Sequence, residues 1–211
     1  MSLPTLDVLQ RLVREELRRQ MHAELAVVQE QHVGESDNYA CTVRLRDHDL
    51  VLPRVPIAVG RLGAAAIAPV GALVLVSFVG GDINAPIIIG QLYNDEDRPP
   101  AHGDGEAVLQ LPHDGGEDEA VRLTVSTADV KALTLRIGSA VTLSLQDDDP
   151  VVALDVGGNA SITVESDGTV KIESTRGLAL KAPEASIETD GNMTLKAGGE
   201  LKLQGSVINL N

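Results

Sequence analysis

Aromatic residues are scarce in this chain of 211 residues, which has one Phe, two Tyr and no Trp. Aromatic side chains usually dominate the packing of a large globular core. Their scarcity therefore argues against such a core, whereas a narrow interior filled by aliphatic side chains has no need of rings. The hydrophobic content of 43% is ordinary for a soluble protein and supplies enough aliphatic residues for an interior of that kind.

Cysteine is represented only by Cys41, so the chain cannot form an internal disulfide framework. Cys41 alternates in phase with Tyr39, Val43 and Leu45, which predicts a small buried residue and not a reactive thiol. No early apolar stretch is long enough for the core of a signal peptide, and none approaches the length of a membrane span. We therefore expect synthesis in the cytoplasm without a signal peptide.

Cationic residues are also few, because 17 Lys and Arg stand against 31 Asp and Glu and give a formal charge of −14. Phosphate binding needs clustered cations. Acidic runs occur here instead, at residues 117–119 and 147–149. The charge balance argues against nucleic acid as a partner and favours a role for the charge in solubility.

Residue patterns that carry catalysis or hold cofactors are missing. The run 147–149 lacks the alternating spacing and the glycine of a calcium loop. Gly157 and Gly158 precede a strand-like run and not a helix, so they predict a turn and not a phosphate cradle. His102 and Asp104 lie in a flexible, charged connector without a nucleophile beside them. We expect no catalytic residues, no cofactor and no metal site, and hence a protein that is not an enzyme.

From about residue 107 to the end, short runs of alternating apolar and polar residues recur at an offset that keeps returning to eight. Apolar residues two apart lie on one face of a strand, so each run predicts a strand with one buried face, followed by a turn. The runs include residues 133–135, 141–143, 162–164, 170–172, 178–180, 193–195 and 201–203.

A repeat of eight residues is too short to enclose a core within one chain, because a single-chain β-helix needs roughly 20 residues or more per coil. Three chains winding about one axis would close it, each giving one strand per layer. The repeats therefore predict that residues 107–211 form a triple-stranded, intertwined β-helix shaft in an obligate homotrimer. An antiparallel sandwich or meander is the alternative, since regularly spaced turns also fit that fold.

Residues 23–97 follow a different pattern, with five strand-like runs separated by segments rich in Gly, Asp and Asn. The runs are residues 26–33, 39–46, 50–55, 72–79 and 85–93. Five strands in this length predict a small barrel, for which the oligonucleotide/oligosaccharide-binding (OB) fold is the leading candidate. Tyr39, Phe78 and Tyr93 are too few and too scattered for a base-stacking face, so we interpret the barrel as a protein-docking domain.

Two further segments complete the predicted all-β architecture. Residues 1–22 predict a helix with an apolar stripe at spacings of three and four, formed by Leu6, Leu9, Val13 and Leu17. That stripe packs either within the trimer or against a larger assembly. Residues 98–106 are acidic and rich in Pro and Gly, which predicts a linker without a core of its own.

Residues 70–94 carry a motif in which a strand ends in Phe and a Gly-Asp turn leads to Pro, an apolar run and Tyr-Asn. Its members are Phe78, Gly80, Gly81, Asp82, Pro86, Gly90, Tyr93 and Asn94. Gly80 and Gly81 permit a tight turn that Asp82 can cap. Pro86 can begin a strand, where its missing N–H costs little. The motif and the order of helix, barrel, connector and repeats resemble the phage baseplate assembly protein V and VgrG spike family.

The resemblance implies a homotrimeric central spike of a contractile injection machine, which is pushed through a target membrane when the sheath contracts. Full-length VgrG spikes carry a large hub region before the barrel, and only about 22 residues precede it here. The resemblance thus implies a separate baseplate hub protein as a partner, docked through the stripe of residues 6–17 and the barrel. The connector is also far too short for the lysozyme domain that some members insert there.

The predicted shaft reaches the last residue, so its final layer should expose apolar side chains and open strand edges, which favours a cap by another protein. In the families that this chain resembles, the cap is a small conical PAAR-repeat protein. The expected cap-binding residues are Val207, Ile208, Asn209, Leu210 and Asn211. Some members end in a His-x-His tip that binds iron, whereas none of the five histidines here forms that pair.

The resemblance leaves open whether the machine is a phage tail in a virion or a phage-like particle released from the cell. A receptor-binding or carbohydrate-acting tail fibre built on a trimeric β-helix is the alternative function. Such fibres usually end in a globular head, whereas the repeat here is predicted to continue to Asn211.

Overall fold

The structure, a computed structural model, describes residues 22–34 and 38–209. The predicted helix with Leu6, Leu9, Val13 and Leu17 lies outside the described residues, as do Leu210 and Asn211. The described chain is all-β, with two antiparallel sheets and one short 3-10 turn at Val79–Gly81. In this part of the chain, no helix has the length and hydropathy needed to span a membrane.

The first sheet contains five strands in the order β3-β2-β1-β4-β5. Their bounds are β1 Glu24–His32, β2 Ala40–Leu45, β3 Val51–Pro56, β4 Leu73–Phe78 and β5 Pro86–Leu92. All neighbouring strands in this sheet are antiparallel. Both ends of each strand lie within two residues of the ends of the sequence run that predicts it. An isolated parallel bridge between Ile57 and Ile88 brings β3 and β5 together, and the Ala58 N–H donates to the Ile88 carbonyl at 2.8 Å.

The hydrophobic core lies inside this first sheet. Alternate residues on β1, β2 and β4 point inward, which the burial of Val28, Val43, Val74 and Val76 shows. Cys41 is fully buried in the same cluster, as its phase predicts. Burial raises the pKa of its thiol, because the thiolate would lose its hydration there.

The second sheet is a meander of seven consecutive strands in the order β12-β11-β10-β9-β8-β7-β6. Their bounds are β6 Glu106–Leu111, β7 Val121–Ser126, β8 Ala132–Ile137, β9 Val141–Gln146, β10 Val152–Val156, β11 Ala160–Val164 and β12 Val170–Ser174. Gly157 and Gly158, both with positive φ, make the tight turn between β10 and β11 that the sequence predicts. From residue 106 to 174 the repeats therefore pair with each other within one chain, which is the alternative arrangement named above and not one strand per layer.

A second compact unit begins at Ser174, the last residue of β12, and no strand occurs in the described residues 175–209. The predicted strands at residues 178–180, 193–195 and 201–203 thus form no ladder within the chain. Their apolar side chains are exposed, with Leu180 at 84% and Leu195 at 62% of full accessibility. The sequence predicts that these strands pair among three chains, and that pairing stays a prediction.

Candidate assembly surfaces

The motif turn joins β4 to β5 in the geometry that its sequence predicts. Phe78 ends β4 and Pro86 begins β5, and the two residues face each other across the ladder. Gly80 and Gly81 have φ values of 63° and 78°, which residues other than glycine rarely adopt. The Asp82 carboxylate accepts a hydrogen bond from the Asn84 N–H at 2.9 Å and so caps the turn. This end of the first sheet is thereby fixed by local hydrogen bonds.

The last two motif residues begin the connector between the two sheets. Tyr93 is more than half exposed, whereas Asn94 closes a turn with Asp97. The Asn94 side-chain oxygen accepts from the N–H groups of Glu96 at 2.7 Å and of Asp97 at 2.8 Å. The Asn94 N–H in return donates to the Asp97 carbonyl at 3.0 Å.

The connector is fastened to the meander by side chains that we call the clasp: Asn94, Asp97, His113, Gln110 and Arg122. The Asp97 carboxylate lies 3.2 Å from His113 Nε2. Arg122 donates to the Ala101 carbonyl and, at 3.1 Å, to Gln110 Oε1. The Gln110 amide in turn donates to the His113 carbonyl at 3.1 Å. These contacts tie Asp97 and Ala101 to β7 and to the loop between β6 and β7, and the linker expected at residues 98–106 stays a prediction.

One face of the meander consists entirely of aliphatic side chains. Residues that oppose each other in an antiparallel ladder share a face, as do residues two apart on a strand. By this register the middle row is Leu109, Leu123, Leu135, Leu143, Leu154 and Ile162, and its flanking rows are Ala107, Val125, Leu133, Leu145, Val152 and Val164, and Leu111, Val121, Ile137, Val141, Val156 and Ala160. These three rows are the apolar face.

Within the compact unit that ends at Glu173, no described part of the chain covers the apolar face. The buried hydrophobic residues of the described chain belong to the first sheet and its loops, apart from Ala120. In contrast, Leu109, Leu133 and Leu145 are 58%, 40% and 43% exposed. The opposite face of the meander is polar and carries residues such as Arg122, Thr134 and Ser144. The sheet thus has one hydrated side and one side without the second layer that a core requires.

Ion pairs and hydrogen bonds hold the turns at the rim of the meander. Lys131 donates to Asp147 through both its N–H at 2.8 Å and its ammonium at 3.0 Å, which lowers the pKa of that carboxyl. The Glu165 carboxylate accepts from Lys171 at 2.9 Å and raises the pKa of that amine. Lys131, Asp147 and Lys171 are exposed to solvent and Glu165 is partly exposed, so the pairs define turn geometry more than they stabilise the fold. The run at 147–149 is a solvated turn, as predicted.

The structure describes Val207, Ile208 and Asn209 of the predicted cap-binding residues. Val207 and Ile208 are 74% and 49% exposed, and Asn209 is exposed as well. Among the described residues, no cluster of three His, Cys, Asp or Glu side chains could hold a metal ion. The described tip residues Val207, Ile208 and Asn209 belong to the second compact unit, whereas the motif turn belongs to the first.

No family model matches the chain, and no curated protein is significantly similar to it. The surfaces above therefore have to be interpreted from their own geometry. Sequence reasoning located the motif turn and the alternating rows, but it missed the clasp. No local pattern indicated it, because Asp97 and His113 are 16 residues apart and Arg122 and Ala101 are 21 apart.

Proposed function

We propose that this protein is the homotrimeric central spike of a contractile injection machine, which docks on a baseplate hub and carries a tip protein at its C-terminal end. The observation that carries the proposal is the uncovered apolar face. Burying a Leu, Val or Ile side chain fully contributes about 1.5–3 kcal/mol. A face of three such rows across six strands is therefore costly in water, and burying it favours association strongly.

Copies of the same chain are the partners that fit the apolar face best. The face carries no charge, so it offers nothing that would select a charged ligand or nucleic acid. Three sheets whose apolar faces meet on one axis form a closed interior without aromatic residues, which agrees with the composition. Such a closure also leaves the polar faces, with Arg122 and Ser144, in water.

The meander refines the predicted shaft. Strands from residue 106 to 174 already pair within the chain, so in a trimer each chain would form one wall of a three-sided prism there. Intertwining of three chains would then be confined to residues 175–211, where the described residues form no strand of their own. The apolar residues at positions 178, 180, 193, 195, 201 and 203 would meet on the axis in that part.

The barrel supports the rest of the proposal. Five antiparallel strands in the order β3-β2-β1-β4-β5, with a parallel contact between the end of β3 and β5, support the proposed OB fold. Glu24 at the start of the barrel lies opposite Val76, whereas Leu92 at its end lies opposite Leu73. The chain thus enters beside the second half of β4 and leaves beside its first residue. This separation suits a domain that docks on a hub at one end and continues into a shaft at the other.

The test is to locate the chain in native particles from the source cell by electron microscopy with a labelled antibody against the meander. The proposal expects label at the centre of the baseplate of a sheathed particle, below the tube. Label at the ends of fibres would favour the receptor-binding alternative, and absence from any sheathed particle would contradict the proposal. Deleting residues 1–22 should leave a trimer that no longer joins the baseplate; normal incorporation would assign docking to the barrel alone.

A further inference from the structure

A cleft of about 290 Å³ opens where β3 and β5 meet at the edge of the barrel. Its walls include Ile57, Ile88 and the alanines of residues 64–66. The lining residues that the structure describes are apolar except for Tyr39 and Gln91, and none is charged, although the chain has a formal charge of −14. The cleft therefore suits an uncharged, mainly apolar occupant.

The backbone at the edge of this cleft lacks a partner strand. β5 pairs with β4 along its length, but on its other edge a single bridge joins Ile88 to Ile57. Beyond Ile88, no described strand pairs with this edge of β5 at Gly90 and Gln91, and both residues line the cleft. An open strand edge offers N–H and C=O groups at the spacing of an extended peptide.

Gly90 is a glycine that the fold itself does not need. Its φ lies outside the left-handed region, and a Cβ built there would meet nothing within 4 Å. A bulge precedes it, since Leu75 opposes Gly90 and Val76 opposes Ile88, but the backbone at position 90 accepts any L-residue. Glycine inside a strand is destabilising compared with other residues and often marks the close approach of another backbone.

Tyr39 adds a hydrogen-bond donor beside the same cleft. Its hydroxyl is buried and has no hydrogen-bond partner among the described residues. Its φ of 56° is unusual for a bulky side chain, and such strain collects at binding sites. A buried phenol normally finds an acceptor, because an unmade hydrogen bond in a dry site is costly.

We infer that this cleft binds an extended, uncharged peptide segment of a partner protein. The incoming backbone would lie along the edge of β5 at Gly90, one apolar side chain would fill the space between Ile88 and Ala66, and the Tyr39 hydroxyl would donate to a peptide carbonyl. A peptide fits better than a small apolar ligand, because the strand edge and the missing side chain at position 90 both match a backbone. The inference does not depend on the spike function, which assigned no role to this edge of the barrel.

The experiment uses the full chain and an unlabelled neutral probe peptide, Ac-Ser-Val-Leu-Val-Ser-NH2, titrated by isothermal titration calorimetry. Gly90→Val and Ala66→Leu, both at positions with room for the larger side chain, should weaken binding about tenfold or more without lowering the melting temperature. Tyr39→Phe should weaken it about three- to tenfold. A matched peptide with Glu in place of the central Leu should bind at least about tenfold more weakly.

Leu62→Ser is the control variant, because Leu62 lies in the same loop, is 90% exposed and does not line the cleft. Its affinity for the probe should equal that of the natural chain. The inference is overturned if the probe does not bind, if Gly90→Val and Ala66→Leu bind it as tightly as the natural chain, or if Leu62→Ser weakens binding as much as they do. A melting temperature lowered by Gly90→Val would also overturn it, since the glycine would then serve the fold.

Discussion

Leu143 on β9 lies directly opposite Leu154 on β10, in the middle row of the apolar face. Its other neighbour in that row is Leu135 on β8. Ser144, the next residue along β9, points to the polar face and lies opposite Thr134 and Ala153. Leu143 and Ser144 are thus adjacent on one strand but lie on opposite faces of the sheet.

The first prediction compares Leu143→Asp with Ser144→Asp. Leu143→Asp would place a carboxylate in the proposed interface in every copy, at a cost on the order of several kcal/mol per buried charge. Sedimentation velocity should show loss of the trimer for Leu143→Asp and an intact trimer for Ser144→Asp. Equal behaviour of the two variants would show that the apolar face is not the interface.

The second prediction concerns the clasp. Replacing Asp97 by Ala removes the contact with His113, so the connector should open more often. Cleavage after Glu96 by a glutamyl endopeptidase should then be several-fold faster at the same overall melting temperature. Asp95→Ala is the control, because Asp95 is exposed and its carbonyl, not its side chain, accepts from Arg98. If Asp95→Ala accelerates cleavage as much as Asp97→Ala, the clasp does not hold the connector.

The third prediction follows from the buried thiol of Cys41. Its pKa is raised in the folded chain, so the unfolded chain loses the proton at lower pH. The contribution of the buried, protonated thiol to the free energy of unfolding should therefore be fully present below about pH 8. It should be lost as pH rises above the ordinary pKa of a thiol, near 8.5. The urea midpoint, measured from pH 7 to 10, should fall more steeply for the natural chain than for Cys41→Ala. Parallel slopes would mean that Cys41 ionises freely in the fold.

The fourth prediction concerns the tip. A chain that ends at residue 204 should remain trimeric but lose the binding of a PAAR-like cap, because it lacks the exposed Val207 and Ile208. The measurement is a pull-down with the purified cap protein, with one cap expected per three full-length chains. Binding retained by the truncated trimer would place the cap elsewhere on the spike.

Sequence patterns predicted the strands of the first sheet well because the interactions that define them are local. Alternation identifies which residues point inward, and Gly or Asp segments separate the strands, so β4 and β5 and the turn capped by Asp82 could be predicted almost to the residue. The burial of Cys41 followed from the same alternation. Each of these features depends on neighbours a few residues away.

The pairing of the repeats could not be predicted in the same way. Alternation predicts that Leu135, Leu143 and Leu154 share a face, but it does not show whether the neighbouring strand belongs to the same chain. The structure resolves this for residues 106–174, where consecutive strands pair as a meander. The clasp was missed because its hydrogen bonds join residues far apart in sequence, such as Asp97 and His113.

The mass of the native protein tests the central claim most directly. Light scattering during size-exclusion chromatography should give three times the chain mass of 22.2 kDa, and this value should not fall on dilution. The reason is that the described residues of the unit ending at Glu173 leave the apolar face uncovered, so folding and association are expected to be inseparable. A folded monomer of 22.2 kDa that stays soluble with its apolar face in water would contradict the account.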